Sequence, residues 1–290
     1  MAKKILRINM TDLTAVYEPV PEKWARWGGR GLTSAIVCDE VPPGCHPLGP
    51  NNKVVIAPGW VSGSPAAPSS GRMSFGGKSP LTGGIKESNA GGLGSQKLAR
   101  LQIAAIIVEG TPKAGKWYTI VISKEGVKFR EAADLIGKGM YEVDELLWEQ
   151  YPVKPAVIGI GQAGEMKLSN AGISVNDQEN RPGRYAGRGG MGAVMGTKGI
   201  KAMVIDDSDA PGVEIADKAL FDQGRKKLTE SILEHDLTKK GGGLPSYGTA
   251  VLVNIINEAG GLPTRNFSTG QFEGAAKISG EMIAETVAKR

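Results

Sequence analysis

Cysteine and histidine are scarce in this chain of 290 residues, which holds two of each: Cys38, Cys45, His46 and His235. The cysteines are too few for a zinc or iron–sulfur site built from the chain's own thiols, and they lack CxxC spacing. Neither histidine belongs to an HExxH pair, and no serine or cysteine has a recognisable triad partner, which sets aside zinc hydrolases and nucleophilic enzymes. Aromatic residues make up only 6%. The 35 Lys and Arg against 30 Asp and Glu leave a net charge of +5, scattered along the chain with no basic run interleaved with aromatics. That distribution argues against nucleic acid and is compatible with a small anionic ligand. No uninterrupted apolar run approaches about eighteen residues, and MAKKILRINMTDL is too mixed in polarity to be the core of a leader. With 40% apolar and 22% charged residues, the expectation is a cytoplasmic globular protein with no membrane partner and free thiols.

Glycine, by contrast, is abundant. The 42 glycines are about twice the usual share of about 7%, and they cluster instead of forming a linker. The densest cluster is RYAGRGGMGAVMG (184–196), with two arginines among its glycines. Apolar runs around the clusters predict strands at KILRINM (4–10), VVIAPGWVSG (54–63), AAIIVEG (104–110), AVIGIGQAGE (156–165) and KAMVIDD (201–207). KWYTIVIS and GVKFREA predict a hairpin with Lys124, Glu125 and Gly126 near its turn. MYEVDELLWEQY (140–151) has the spacing of an amphipathic helix, with Val143, Leu146, Leu147 and Tyr151 on one side. After Asp207 the texture turns helical, at 220–237, 249–259 and 280–290. The expected class is α+β: a β-sheet domain over 1–208, then the beginning of an α-helical domain over 209–290.

The β region reads as two copies of one plan. GGLGSQKLARLQIAAII (91–107) overlays GGMGAVMGTKGIKAMVI (189–205) without a gap, matching Gly91, Gly92 and Gly94 to Gly189, Gly190 and Gly192, and Ala104 to Ala202. Such a duplication would set two Gly-Gly turns face to face across a pseudo-twofold axis. Gly187, Gly189 and Gly192 satisfy GxGxxG, but NDQENRPGRY precedes them where a dinucleotide site needs a strand. In GRMSFGGKSP the first glycine is misplaced for a P-loop, and Pro80 interrupts the required helix. Two readings remain. Successive N–H groups around glycines form nests for oxyanions, with Arg72, Lys78, Arg184 and Arg188 beside them. Alternatively the glycines only permit close packing and the arginines are solvated.

These stretches resemble a known family, the tungsten-containing aldehyde:ferredoxin oxidoreductases. The resemblance is carried by GGRGL (28–32), SGRMSF (70–75), KSPLTGGIKESNAGG (78–92), RYAGRGGMGAVMGTKGIKA (184–202) and GGGLPSYGTAVLVNIINEAG (241–260), in family order. It implies a base of two related β-sheet halves on which two molybdopterin-type pterins sit, their dithiolenes holding one tungsten or molybdenum. By the same resemblance Arg72 and Arg184 contact pterin phosphates, and Asn89, Gly91, Gly187 and Arg188 line the cofactor. The backbone carbonyls of Asn89 and Tyr185 hold a magnesium ion bridging the phosphates. Tyr185 stands where the family has a small residue, a difference that a carbonyl contact tolerates. Family enzymes oxidise aldehydes to carboxylic acids and pass electrons through a [4Fe-4S] cluster to ferredoxin. The cluster's cysteines have no counterpart here, so the expectation is a fragment, a split subunit or a truncated product that needs further C-terminal domains or a partner subunit. A homodimer stays open, as does a non-catalytic module that stores or delivers the pterin.

Overall fold

In the computed structural model, which describes residues 3–66 and 70–289, strands β1 (Lys4–Asn9) and β2 (Thr14–Pro19) form an antiparallel hairpin. Helix α1 (Gly29–Glu40) follows, then β3 (Val54–Pro58), β4 (Met73–Lys78), β5 (Ile85–Ala90), α2 (Leu93–Arg100) and β6 (Ile103–Glu109). The strands make one sheet in the order β2-β1-β6-β3-β4-β5, parallel only between β1 and β6. The plan then recurs with β7 (Tyr118–Ser123), β8 (Gly126–Glu131), α3 (Met140–Trp148) and β9 (Ala156–Gly159). A short α4 (Gln162–Glu165) is inserted before β10 (Ile173–Val175), β11 (Arg184–Ala186), α5 (Met191–Thr197) and β12 (Ile200–Ile205). Their sheet, β8-β7-β12-β9-β10-β11, repeats the first, with β7 and β12 as its parallel pair. The architecture is mixed α+β with two six-stranded mixed sheets.

Burial explains the layering. The inner faces of both sheets meet in a shared core that includes Leu6, Ile56 and Ile106 from one and Ile120, Ile158 and Met203 from the other. Helix α1 covers the outer face of the first sheet through Leu32, Ile36 and Val37. Helix α3 covers the outer face of the second through Met140, Val143 and Leu147. Strands β3, β6, β9 and β12 are therefore covered on both sides, which is why they read as unbroken apolar runs.

The ungapped overlay of the two copies is corrected by one residue. Strand β6 skips Ala104 between its pairings Lys4↔Ile103 and Ile5↔Ala105, and β12 skips Lys201 between Ile200↔Tyr118 and Ala202↔Thr119. Ala104 thus corresponds to Lys201, not to Ala202, because α5 is seven residues long where α2 is eight. The slip matters because strand side chains alternate between faces. With it, Ile103 and Ile106 align with Ile200 and Met203 in the shared core, and Ala105 aligns with Ala202 beneath the helices. The bulged Lys201 is fully buried, its ammonium donating to the Lys138 carbonyl (2.9 Å) and paired with Glu165 of α4.

The chain divides into two compact units, Met1–Ile215 and Ala216–Arg290. In the second, Asp217 caps α6 (Lys218–Glu234) by accepting from Leu220 N at 2.9 Å, and the short helices α7 (Gly243–Tyr247) and α8 (Leu252–Glu258) follow. Ser279 caps α9 (Gly280–Ala288). Arg290, read into that last helix, lies outside the described residues. Helix α6 buries none of its residues within the chain, including the predicted face of Leu220, Leu228 and Ile232. No helix among the described residues is long and apolar enough to cross a membrane.

A Cβ added to Gly92 (φ +121°) would overlap the Asn176 carbonyl oxygen, and one on Gly190 (φ +71°) the Ser169 carbonyl oxygen. Gly92→Ala and Gly190→Ala should therefore each destabilise the protein by more than about 1 kcal/mol. Gly161→Ala, whose methyl meets open space, should be nearly neutral. Denaturant midpoints followed by circular dichroism check this, and equal midpoints for all three would contradict it.

Candidate functional site

Arg72 lies immediately before β4, where its carbonyl accepts from Gly59 N (3.0 Å) and Ser95 Oγ (2.8 Å). Its side chain turns outward, and Nε donates to Asn89 Oδ1 at 2.5 Å. Asn89 sits opposite Ser74 in the β4–β5 ladder and donates from Nδ2 to Ser74 Oγ at 3.2 Å. Two residues on, Gly91 lies beneath the Arg72 guanidinium: a Cβ there would stand 3.3 Å from it. Gly92 then opens α2 in a conformation that favours glycine.

The second arm starts on β11, with Arg184 and Tyr185 exposed, and continues through Gly187 and Arg188 to Gly190 at the start of α5. It rests on the first half. Arg188 N donates to Ser88 Oγ at 2.9 Å, and Ser79 Oγ donates to the Gly189 carbonyl at 2.8 Å. The first arm rests reciprocally on the second half, where Leu93 N donates to the Asn176 carbonyl at 2.8 Å. Ser79 follows β4 and Asn176 follows β10, so topologically equivalent positions receive the two glycine turns. Edge strands β5 and β11 lie against one another. The fold thereby collects Arg72, Asn89 and Gly91 from one half and Arg184, Tyr185, Gly187 and Arg188 from the other along a single edge.

What the glycines do can be separated. A Cβ on Gly189 would overlap the Lys86 side chain, and on Gly192 and Gly196 the carbonyls of Gly172 and Gly164. These three, with Gly190, are required by internal packing. Gly187 is different: a Cβ there meets nothing within 4 Å, and its φ is not in the left-handed region. Its missing side chain leaves room on the outer side of the edge.

The charges are left available as well. Among the described residues no hydrogen bond or ion pair engages the guanidinium of Arg184 or Arg188, and that of Arg72 is used only at Nε. The Asp177 carboxyl is held below the usual range, first by the Arg181 backbone N–H, then by that of Glu179, with the Arg184 and Arg181 charges adding. Guanidinium forks along one edge suit oxyanions, phosphate above all. Among the described residues no group of three or more His, Cys, Asp or Glu could hold a metal. His46 and His235 accept from Leu48 N and Leu237 N in local turns, and both cysteines are free.

Sequence reasoning did not single out Ser79, Ser88 or Asn176, the residues that seat the two turns. They sit in polar stretches with nothing to distinguish them until the partner half is in place. A groove of about 810 Å³ lies elsewhere, lined by Tyr17, Val20, Trp27, Pro58, Trp60 and Ala104 among others, and includes none of the seven edge residues.

Comparison with known proteins bears on the whole chain. The family model for the aldehyde ferredoxin oxidoreductase N-terminal domain matches residues 5–207, and that for domains 2 and 3 of the same enzymes matches residues 223–290. The tungsten-containing aldehyde ferredoxin oxidoreductases of Pyrococcus abyssi and Thermococcus kodakarensis are each 42% identical over 97% of this chain and 45% of their own length. The aliphatic sulfonate oxidoreductase, WOR-like subunit, of Pyrococcus furiosus is 29% identical over 66% of this chain and 32% of its own. Among solved structures, the active site complex BamBC of benzoyl coenzyme A reductase superposes with a TM-score of 0.76 at 24% identity, over 98% of this chain and 44% of that one, which shows a common fold. The chain spans less than half the length of these relatives. By the extent of the family match and the identity across its length, the chain belongs to the aldehyde ferredoxin oxidoreductase family.

Proposed function

We propose that this chain is the pterin-binding part of an aldehyde:ferredoxin oxidoreductase, with residues 1–208 as the platform and 209–290 as the start of the helical region. The observation that carries this reading is the single edge where β5 and β11 meet, with three guanidinium groups available and open space at Gly187. A pseudo-twofold axis between those strands would present two alike nests, matching a cofactor of two alike pterins. Arg72 and Arg184 bind one phosphate each, while Asn89, Gly91, Gly187 and Arg188 line the cofactor. The carbonyls of Asn89 and Tyr185 hold a magnesium ion between the phosphates.

The residues present fit such a group. A bulky dianion needs donors that the protein has not already used, and a backbone it can approach closely. A metal held by pterin sulfur needs no protein thiol or imidazole, in keeping with a platform that offers no such cluster among its described residues. When bound, the tungsten bis-molybdopterin supplies the two-electron oxidation of an aldehyde to a carboxylic acid. This chain's own part is to bind and orient. Its arginines neutralise phosphate charge, and Asn89 holds the Arg72 guanidinium through Nε, leaving its two terminal nitrogens without a hydrogen-bond partner among the described residues. The complete enzyme works in the cytoplasm, handing electrons through a [4Fe-4S] cluster, whose ligands lie outside this chain, to a ferredoxin-like acceptor.

Arg184→Ala in the complete protein removes a charge-assisted contact of about 1.5–3 kcal/mol, an expected loss of about 10- to 150-fold in cofactor retention. Tungsten and pterin content after gel filtration measure it; unchanged content would show Arg184 to be merely solvated. Asn89→Leu separates the two roles given to that residue. It should lower pterin retention by releasing Arg72 while leaving bound magnesium unchanged, because the carbonyl remains. Loss of magnesium with full pterin content would place the ion on the side chain instead.

A further inference from the structure

Asp144 is a fully buried acid on α3, in the layer where that helix packs on the second sheet. Its Oδ2 accepts from Asn176 Nδ2, and its Oδ1 has no hydrogen-bond partner. Burial pushes the carboxyl up to about 7, the Asn176 hydrogen bond opposes this, and Glu145 on the same helix adds to it. The strands beneath α3 present apolar side chains, Val121 from β7, Val157 from β9 and Ala202 and Val204 from β12, alongside Met140, Val143 and Leu147 of the helix. An acid here is costly, and packing alone would favour an apolar residue.

What it grips explains its presence. Asn176 is itself fully buried, and its Oδ1 accepts from Val157 N, so its amide orientation is settled and Nδ2 must face Asp144. Its backbone N donates to Val157 O at 3.3 Å, and its carbonyl accepts from Leu93 N at 2.8 Å, directly against Gly92. The next residue opens the turn that leads to the second arm. Asp177 Oδ1 accepts from Glu179 N (2.9 Å) and Arg181 N (3.0 Å), Ser174 Oγ donates to Pro182 O (3.2 Å), and Arg184 follows on β11. Asn176 therefore bears on both arms of the candidate site: its carbonyl seats the first, and the turn that follows it leads to the second. The equivalent residue in the first half, Ser79, needs no such helper, because its Oγ is held locally by Leu81 N and Thr82 N.

We propose that Asp144 is a positioning residue of the cofactor edge: by holding the Asn176 side chain it sets the carbonyl that seats the Gly91–Gly92 turn and the start of the turn that delivers Arg184. This rests on the reading of that edge as the pterin platform. The acid accepts in its neutral form without a buried charge. Its carboxyl titrates higher in the folded chain than in the unfolded one, so its contribution to stability is complete below about 4 and is lost as pH rises through about 7.

The test compares Asp144→Leu, which removes the acceptor, with Asp144→Asn, which keeps one that cannot ionise. Amide exchange is measured on the complete chain without cofactor, and pterin content on the loaded protein. In Asp144→Leu, protection of Leu93 and of 177–188 should fall at least about tenfold while the β7 and β12 amides stay protected, and pterin content should fall too. Asp144→Asn should restore both, and should abolish the loss of Leu93 protection expected of the unmodified chain as pH rises through about 7. The proposal is overturned if Asp144→Leu leaves Leu93 and 177–188 as protected as before. It is equally overturned if both variants lose protection uniformly across the two sheets, which would make Asp144 a structural residue only. Local loss of protection with undiminished pterin content would instead keep the coupling and overturn the assignment of this edge as the cofactor platform.

Discussion

Each glycine turn of the N-terminal unit is seated on the opposite half: Leu93 N–H on the Asn176 carbonyl, and the Gly189 carbonyl on the Ser79 hydroxyl. A single such bond contributes only about 1 kcal/mol net, but a buried group left without its partner costs about 1–3 kcal/mol. Each turn is therefore held to the half it does not belong to. Because the exchange is reciprocal, β5 and β11 come together, and with them the arginines that neither half could gather alone. The proposed ligand site at that edge would thus follow from how the repeated strand plan closes on itself.

The glycine content follows from the same closure and does not all serve one purpose. Gly92, Gly190 and Gly192 let backbone meet backbone at the seam and around α5, where any side chain would collide with a carbonyl. A Cβ on Gly187 would meet nothing within 4 Å, so packing gives no reason for this glycine, whereas the proposed approach of a large ligand would. The sequence reading held packing and ligand binding as rivals for the whole cluster. The structure gives Gly189, Gly190, Gly192 and Gly196 a packing reason and Gly187 none.

The strands covered on both faces were readable as apolar runs, and the hairpin at Lys124–Glu125 was readable from its alternation and its glycine. Helix α1 was not, because Gly28, Gly29 and Gly31 at its start hide the apolar spacing of Leu32, Ile36 and Val37. Strands β4 and β5 were missed for related reasons. MSFGGK carries two glycines, and IKESNA is mostly polar, as suits an edge strand that is only partly covered. Arg72, Arg184 and Arg188 stand out beside their glycines from the residues themselves, and the duplication already implies that the two turns face each other; the resemblance adds Tyr185 and the roles toward a cofactor, while the seats on Ser79, Ser88 and Asn176 come into view only with the halves folded together. Asp144 illustrates the limit well: beside Val143 and between Glu142 and Glu145 it reads as part of a solvated helix face, and only the packing of α3 shows it turned inward.

The central claim is that the β5–β11 edge receives the phosphates of a two-pterin cofactor, one from each half. A crystal structure of the complete, tungsten-loaded protein tests it most directly. The account predicts one phosphate within hydrogen-bond distance of Arg72, the other within the same distance of Arg184, and a magnesium ion between the carbonyls of Asn89 and Tyr185. A cofactor bound with its phosphates away from that edge, or with solvent alone around both arginines, would contradict it.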